Sequence, residues 1–209
     1  MVTNRRTQAE RTRATVEQIL AVARDLFAAD GYDATFLDAV VERAGMTKGA
    51  LYHHFDGKRA LFAAVYEREQ RAIGHAVAVK AGGRGDSWRT FLRGCNAFFE
   101  AVLDPGVQRI TLIDAPVVLG WQEMRDLEDR HVTSLLRVGL TRAIDDGHLK
   151  PQRVKPLAHL LHGAMCEAAI MAARTPDPAR ESADAMAVLK DILEGIAVTT
   201  DPGIRGGKH

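Results

Sequence analysis

Long apolar runs are missing from this sequence of 209 residues, and so is an apolar segment near its start. No run approaches the roughly 18 apolar residues that a membrane-spanning helix needs. Residues 1–13 are polar and basic and lack the apolar centre of a secretory signal. Both shortages argue against a membrane protein or an exported one, and we expect a cytoplasmic protein.

Cysteine is scarce as well, and the usual catalytic motifs are missing. The two cysteines, Cys95 and Cys166, lie far apart and outside any CxxC spacing, which argues against a disulfide framework or a zinc knuckle. The sequence contains no GxSxG, HExxH, P-loop or dinucleotide-binding fingerprint. We therefore expect two buried thiols, no bound cofactor and no enzymatic activity.

Net charge is the third quantity in short supply. The formal net charge is only +1 at pH 7, which does not by itself indicate a nucleic-acid-binding protein. Basic residues nevertheless cluster in two short stretches, as a phosphate-binding surface requires, although a solvated surface has the same composition. The clusters are Arg5, Arg6, Arg11 and Arg13, opposed by Glu10, and Arg43, Lys48, Lys58 and Arg59, opposed by Glu42 and Asp56.

Apolar residues at spacings of three and four predict two long helices near the start of the chain. The first carries an apolar face from Val16 to Phe27 and ends at Gly31, because glycine readily adopts the left-handed conformation that terminates helices. The second runs over residues 58–79 and ends in a glycine-rich stretch at 81–86.

Between these long helices, the sequence predicts two short ones. One spans residues 37–44, with Thr35 as its cap and Gly45 after its last turn. The other begins after Thr47, whose hydroxyl is suited to capping, and runs to about His53. Two short helices joined by a tight turn that contains glycine form a helix-turn-helix arrangement.

Proline, glycine and aspartate divide the remaining chain into further helices. These helices are predicted over residues 87–103, 107–114, 117–146, 155–174 and 178–198. No segment alternates apolar and polar residues between hairpin turns, so no strand is expected. The fold is therefore predicted to be all-α with about nine helices, followed by a flexible tail at 201–209.

The run GMTKGALYHHFDGK at residues 45–58 resembles the recognition segment of TetR-type repressors, which include the AcrR-like regulators. Earlier residues fit the same pattern at Ile19, Leu20, Ala23, Leu26, Phe27, Gly31, Tyr32 and 42–45. The body is similar only in the number and order of its helices. The resemblance implies a transcriptional repressor with a helix-turn-helix DNA-binding domain at 1–57 and a ligand-binding and dimerisation domain at 58–200.

The resemblance also gives the short helix after Thr47 its role in DNA binding. The first turn of that helix would face base edges in a major groove. Small residues at Gly49 and Ala50 allow a close approach, and Lys48 is long enough to reach guanine acceptors or a phosphate. This helix is therefore expected to be the part of the chain that recognises a DNA sequence.

Residues after that first turn are expected to hold the DNA backbone. Tyr52 and His53 can donate hydrogen bonds to phosphate oxygens, and Lys58 lies at a helix N-terminus, where a cation is unfavourable unless an anion is near. The DNA-binding residues implied by the resemblance are Thr35, Thr47, Lys48, Gly49, Ala50, Tyr52, His53 and Lys58.

One residue departs from the family pattern. The resemblance implies a serine or threonine at position 36, where the hydroxyl would cap the second helix and touch a phosphate, whereas this sequence has Phe36. We expect the cap to pass to Thr35. A helical interaction module that has lost DNA binding is the alternative function that Phe36 favours.

DNA binding by this motif requires a homodimer, because two heads must lie about one helical turn, roughly 34 Å, apart on a near-palindromic operator. The resemblance places the interface on the helices at 155–174 and 178–198, which would form a four-helix bundle with those of a second copy. Both helices have broad apolar faces. The alternative is that these faces pack inside one subunit.

The body is implied to contain a cavity for a small effector, whose binding moves the linking helix at 58–79. Aromatic and sulfur-bearing side chains suit a mostly apolar ligand, although they are also common in a protein core. The candidate ligand-binding residues are Phe91, Cys95, Phe98, Ile110, Asp114, Trp121, His162, Met165 and Cys166.

A metal-responsive regulator is the alternative function for the body. His159, His162 and Cys166 are spaced by three and four residues, so their side chains would converge on one helix face as ligands for zinc or another soft metal. An enzyme that uses His159, His162 or Asp114 for acid–base chemistry is a further alternative, for which the sequence has no supporting motif.

Overall fold

A computed structural model of the protein describes residues 8–83 and 85–197. Over these residues the regular elements are helices, and the only extended pairing is an isolated antiparallel bridge between Leu149 and Ala197. The predicted all-α fold is confirmed. The tail predicted at 201–209 lies outside the described residues.

The head and its connection to the body are formed by α1 (Gln8–Ala34), α2 (Leu37–Ala44), α3 (Lys48–His54) and α4 (Lys58–Lys80). The body consists of α5 (Ser87–Val102), α6 (Pro105–Gln108), a π-helical segment (Arg109–Asp114), α7 (Ala115–Val118), α8 (Trp121–Arg130), α9 (Val132–Asp145), α10 (Val154–Ala172) and α11 (Pro178–Glu194). Within the described ranges, every helix is too short or too polar to cross a lipid bilayer.

The predicted end of the first helix at Gly31 is a kink within α1. Gly31 has a φ of 80° and a ψ of 174°, a conformation that glycine adopts without the steric penalty of a side chain. A Cβ atom at this position would also collide with the guanidinium of Arg109 from the π-helical segment. Glycine is therefore required here both for the turn toward α2 and for the close approach of the body.

Two clusters of buried apolar side chains stabilise the protein, and α4 contributes to both. The first half of α4 supplies Phe62 and Tyr66 to the cluster under the head, and its second half supplies Ile73 and Val77 to the cluster of the body. The head cluster also contains Ile110 from the π-helical segment. Because α4 belongs to both clusters, a displacement of α4 changes the packing of the head and of the body together.

The middle of the body differs from the single helix predicted over residues 117–146. The chain forms α7, α8 and α9 there, because Gly120 adopts a φ of 77° and the chain turns again at His131. The apolar spacing continues across both breaks, so periodicity alone did not locate them. The prediction of one long helix is therefore wrong.

The helix predicted over residues 107–114 also has a different form. It begins earlier, at Pro105, because Asp104 acts as its cap and its Oδ1 accepts a hydrogen bond from the backbone nitrogen of Val107 at 2.8 Å. From Arg109 onward the hydrogen bonding is that of a π-helix, which is rare and has no sequence signature of the kind used above.

Candidate nucleic-acid interface and effector cavity

The candidate DNA-contacting helix α3 is capped at its start and anchored by one buried residue. Thr47 precedes α3 in an extended conformation, and its Oγ1 accepts a hydrogen bond from the backbone nitrogen of Ala50 at 3.2 Å. This confirms the predicted cap. Leu51 is buried in the head cluster and fixes which side of α3 faces inward.

The outward side of α3 carries most of the predicted DNA-binding residues. Lys48, Gly49, Tyr52 and His53 are exposed, as is Thr47 before them. Ala50 is half-buried, in keeping with its place beside the cap. The structure thus gathers these residues on one surface, and their contact with DNA stays a prediction.

Lys48 has an acidic partner that the sequence analysis did not identify. Its Nζ lies 2.7 Å from Oδ1 of Asp38 and 2.8 Å from Oδ2, and Asp38 belongs to the first turn of α2. The hydrogen bond to this carboxylate, together with the attraction between the charges, raises the pKa of Lys48. The pair joins two different helices, so periodicity along one helix could not reveal it.

Lys58 is partly occupied by contacts within the head. Its Nζ donates a hydrogen bond to the backbone oxygen of Asp33 at 3.1 Å and lies 4.3 Å from the centre of the Tyr32 ring. The ring of Phe36 is 5.9 Å away from the same Nζ. The cation at the start of α4 is thus stabilised by a carbonyl oxygen and by aromatic rings, and no carboxylate of the described residues pairs with it.

The expected transfer of the α2 cap to Thr35 is wrong. Thr35 is buried, and its hydroxyl donates to the backbone oxygen of Gly31 at 2.8 Å. Phe36 occupies the cap position without a side-chain hydrogen bond, and 69% of its surface is exposed. Since the Thr35 hydroxyl is buried and bonded, this conformation does not present it to a phosphate.

A cavity of about 380 Å³ lies in the body between α4, α5 and α9. Ligand sites for small molecules commonly have volumes of about 300–1,000 Å³. Four predicted ligand-binding residues line this cavity, namely Phe91, Cys95, Phe98 and Met165. Burial raises the pKa of the Cys95 thiol to about 12, so the thiol is neutral and extends the apolar wall.

Other lining residues come from α4 and α9, which the sequence analysis did not assign to the cavity. They include Val77, Leu136 and Gly139, and Arg142 supplies a cation. A Cβ atom at Gly139 would lie 2.5 Å from the Phe91 ring, so α9 approaches α5 this closely because the residue is glycine. Apolar residues have the same sequence signature in a core and in a cavity wall, and no pattern could have separated them.

Three of the predicted ligand-binding residues lie away from this cavity. Ile110 is buried in the head cluster, and Oδ2 of Asp114 accepts a hydrogen bond from the backbone nitrogen of Tyr32 at 2.8 Å. Trp121 is 64% exposed, and its ring lies 4.1 Å from Cζ of Arg125. Ile110 and Asp114 contact the head because the π-helical segment lies under it, whereas Trp121 faces outward from the start of α8.

The predicted residues His162 and Cys166 belong to a buried polar network rather than to the cavity lining. Oε1 of Glu128 accepts a hydrogen bond from the Tyr66 hydroxyl at 3.2 Å, and its Oε2 accepts one from Arg125 at 2.9 Å. Nη1 of Arg125 lies 3.3 Å from Nδ1 of His162, and Sγ of Cys166 lies 3.6 Å from Nε2 of His162. This polar network connects α4, α8 and α10.

Burial governs the protonation of the polar network. It raises the pKa of Glu128, and it lowers the pKa of His162 to about 4 with a further contribution from the charge of Arg125. The pKa of the Cys166 thiol is raised by burial to about 12. His162 is therefore neutral near pH 7, and Cys166 is a thiol without the thiolate character that a reactive cysteine needs.

Two family models match the chain. The model described as "Tetracyclin repressor-like, C-terminal domain" matches residues 88–196, which is more than half of the sequence, and "Bacterial regulatory proteins, tetR family" matches residues 19–65. The chain belongs to the TetR family.

Individual proteins are similar to this chain, some over most of its length and others over about a third of it. The transposon Tn10 TetC protein of Escherichia coli is 25% identical over 190 residues, which are 91% of this chain and 96% of TetC. The regulator AcrR of Shigella flexneri is 39% identical over 67 residues, which are 32% of this chain and 30% of AcrR. A TetR-family regulator from Pectobacterium atrosepticum has a solved structure that is 33% identical, with a TM-score of 0.77 over 93% of this chain and 99% of that one.

Membership of the TetR family confirms the resemblance drawn from residues 45–58. The chain is a transcriptional regulator with a DNA-binding helix-turn-helix, and the members of this family are regulators rather than enzymes. The structural similarity extends through the body, where the sequence showed only helix order. The enzymatic alternative is therefore discarded.

The body of this TetR-family chain does not support the metal-responsive alternative. Nε2 of His159 lies 3.6 Å from Oδ1 of Asp129, whereas His162 and Cys166 are joined to the buried polar network. In the part of the chain that the structure describes, no three His, Cys, Asp or Glu side chains are placed to hold a metal ion together.

The last two helices of this TetR-family chain expose large apolar side chains. Leu160 and Met171 on α10 and Val188 and Ile192 on α11 keep between 55% and 72% of their surfaces exposed. The opposite side of α11 packs Leu189 and Leu193 into the body cluster. Packing inside one subunit thus accounts for one face of α11 and leaves the other face uncovered.

Proposed function

We propose that this TetR-family regulator represses transcription as a homodimer on a near-palindromic operator and is released by a small, mostly apolar ligand. The observation that carries the proposal is the construction of α3, which Thr47 caps and Leu51 anchors so that Lys48 and Tyr52 face outward. Such a regulator acts on DNA in the cytoplasm.

In this proposal, the exposed residues of α3 divide the work of DNA binding. The short first turn, with Gly49 beside the cap, lets the backbone approach a major groove, where Lys48 reaches guanine acceptors. Tyr52 and His53 donate to phosphate oxygens and hold the orientation of the helix. Lys58 has no anionic partner among residues 8–83 and 85–197, and in this proposal a phosphate supplies that anion.

The proposed dimer is supported by the uncovered apolar face of α10 and α11. Val188 and Ile192 lie one turn apart on α11 and share a face, and exposed apolar patches mark sites of protein–protein contact. Pairing Leu160 and Ile192 with their counterparts in a second copy would remove these side chains from water. Two heads fixed to one four-helix bundle could then contact successive major grooves.

The proposed release by a ligand is supported by the place of α4. This helix lines the cavity with Val77 and contributes Phe62 to the head cluster, so one rigid element touches both. A ligand that fills the cavity by moving α4 would change the distance between the two heads of a dimer. The mostly apolar wall favours a ligand with an apolar body.

The proposal is tested by selecting genomic fragments that bind the purified full-length protein and then measuring affinity for the selected duplex over a range of salt concentrations. We expect one near-palindromic sequence, and a logarithm of affinity that falls steeply with the logarithm of salt because several phosphate contacts release counterions. Weak affinity without salt dependence would contradict DNA binding and would favour an interaction module whose head has lost this activity.

A further inference from the structure

We propose that Asp38 is a specificity-determining residue of the DNA-binding surface. Its carboxylate stays paired with Lys48 on non-operator DNA, and the pair opens only when Lys48 binds the base acceptors of an operator. This inference rests on the proposed function. It concerns the ion pair between α2 and α3, whose two members face the same exposed surface.

The geometry of the pair is that of a cation held by both oxygens of a carboxylate. Nζ of Lys48 lies 2.7 Å and 2.8 Å from the two Oδ atoms of Asp38. Lys48 is the first residue of α3, where the helix dipole disfavours a positive charge, whereas Asp38 lies in the first turn of α2, where the dipole favours a negative one. Asp38 therefore compensates a charge that α3 itself disfavours.

The pair is not needed to hold the head together. The side chains of Lys48 and Asp38 are 62% and 70% exposed, and exposed ion pairs contribute little to stability because water and salt screen them. The position of α3 is fixed instead by the Thr47 cap and by burial of Leu51. A weak and exposed pair can open when a better partner for Lys48 arrives.

Binding to non-operator DNA comes mainly from phosphate contacts, and it depends on the number of free cations that release counterions. A lysine held by Asp38 adds no net charge to the surface. On an operator, the O6 and N7 acceptors of guanine can take Lys48, and the freed carboxylate can accept from a cytosine amino group. The exchange is thus favoured by base pairs that present these acceptors and this donor to the pair.

The experiment compares the full-length protein with Asp38→Asn and the matched control Glu42→Gln. Glu42 lies one turn further along α2, is exposed and forms no ion pair with the described residues, so its replacement changes the net charge equally without freeing Lys48. Fluorescence anisotropy would give the affinity of each protein for the selected operator duplex and for a random duplex of equal length, at several KCl concentrations.

We expect Asp38→Asn to bind the random duplex about two- to fivefold more tightly at low salt, the range that corresponds to a surface ion pair. The slope of log affinity against log salt should steepen by about one, for one additional phosphate contact. Affinity for the operator should rise less, so that the ratio of operator to random affinity falls. Glu42→Gln should leave this ratio unchanged.

A second background shows whether Asp38 acts through Lys48. In Lys48→Ala the substitution Asp38→Asn should raise affinity for random DNA no more than Glu42→Gln does in the same background, because no lysine remains to be freed and only the change in net charge is left. The inference would be overturned by an equal effect in that background, which means direct repulsion of phosphates, or by equal behaviour of Asp38→Asn and Glu42→Gln. Failure of the unmodified protein to bind any duplex would instead overturn the proposed function.

Discussion

Two neighbouring residues of α3 have different roles, since one packs in the core of the head and the other is proposed to contact DNA. Leu51 is 1% exposed and belongs to the head cluster, whereas Tyr52 keeps 55% of its surface. Because successive residues of a helix point about 100° apart, one residue anchors the helix and the next extends from it. A change limited to the tip of Tyr52 therefore tests binding without disturbing the core.

The substitution Tyr52→Phe removes a single hydroxyl group from the exposed side of α3. We expect affinity for DNA to fall about three- to tenfold, the usual range for one lost hydrogen bond. The loss should be similar for operator and random duplexes, since a phosphate contact carries no sequence information. Anisotropy measures both affinities, and a thermal melt should show an unchanged midpoint. A loss confined to the operator would instead assign Tyr52 to base recognition.

Among the elements, the buried polar network gives α4 a polar contact with α8 and α10 in addition to apolar packing. The Tyr66 hydroxyl reaches Glu128, which also binds Arg125, and His162 lies against Arg125. Buried polar groups are costly unless they are hydrogen-bonded, so the network favours one relative placement of these three helices. Its protonation therefore affects how firmly α4 is held.

Stability should fall when the pH drops from about 6.5 toward 4, because His162 stays neutral in the fold while it takes up a proton in the unfolded chain. The folded pKa of His162 is about 4. The raised pKa of Glu128 acts in the opposite direction, since its protonation in acid favours the fold. We expect His162 to contribute a loss of about 1–2 kcal/mol between pH 7 and pH 5.

The contribution of His162 is isolated by comparing urea unfolding of the unmodified protein, His162→Gln and His75→Gln at several pH values. His75 is an exposed histidine on α4 and serves as the matched control. His162→Gln should show a smaller loss of unfolding free energy in acid, whereas His75→Gln should follow the unmodified protein. Parallel curves for all three proteins would contradict a depressed pKa at His162.

Comparison of the helices with their predicted bounds shows which features of the fold the sequence predicts and which it does not. Glycine and threonine signals located the kink at Gly31 and the cap at Thr47, because these conformations depend on local chemistry. The breaks within residues 117–146 and the π-helical segment were missed, because apolar periodicity continues through them. The Lys48–Asp38 pair and the cavity lining depend on which helices pack together, which a single sequence does not specify.

At the scale of the whole molecule, α4 connects the head to the body, and α11 carries the exposed apolar face proposed to bind a second copy. α4 joins the head cluster to the body cluster through Phe62 and Ile73, so the head follows the body as a packed unit. α11 packs Leu193 into the body cluster and leaves Ile192 61% exposed on its other side. A second copy bound to that face would be connected to its own head through the same packing, which is the arrangement that paired DNA contacts need.

The dimer can be tested with Ile192→Asp, which places a charge in the proposed interface. Because Ile192 is largely exposed in the single chain, the substitution should leave the helical fold intact while weakening self-association on the order of 100-fold, since an unpaired carboxylate would be buried between the copies. Affinity for the operator should fall with it, because a monomer places only one head on the DNA. Sedimentation equilibrium and anisotropy measure the two effects, and circular dichroism checks the fold.

The matched control is Val117→Asp, the same kind of change at an apolar residue on α7 that is 85% exposed and lies outside α10 and α11. This variant should remain dimeric and bind the operator, because the added charge stays in water. If Ile192→Asp remained dimeric while Val117→Asp dissociated, the copies would meet along α7 instead. Both proteins carry one additional negative charge, so a general electrostatic effect would weaken DNA binding in both, whereas loss of the dimer would weaken it in Ile192→Asp alone.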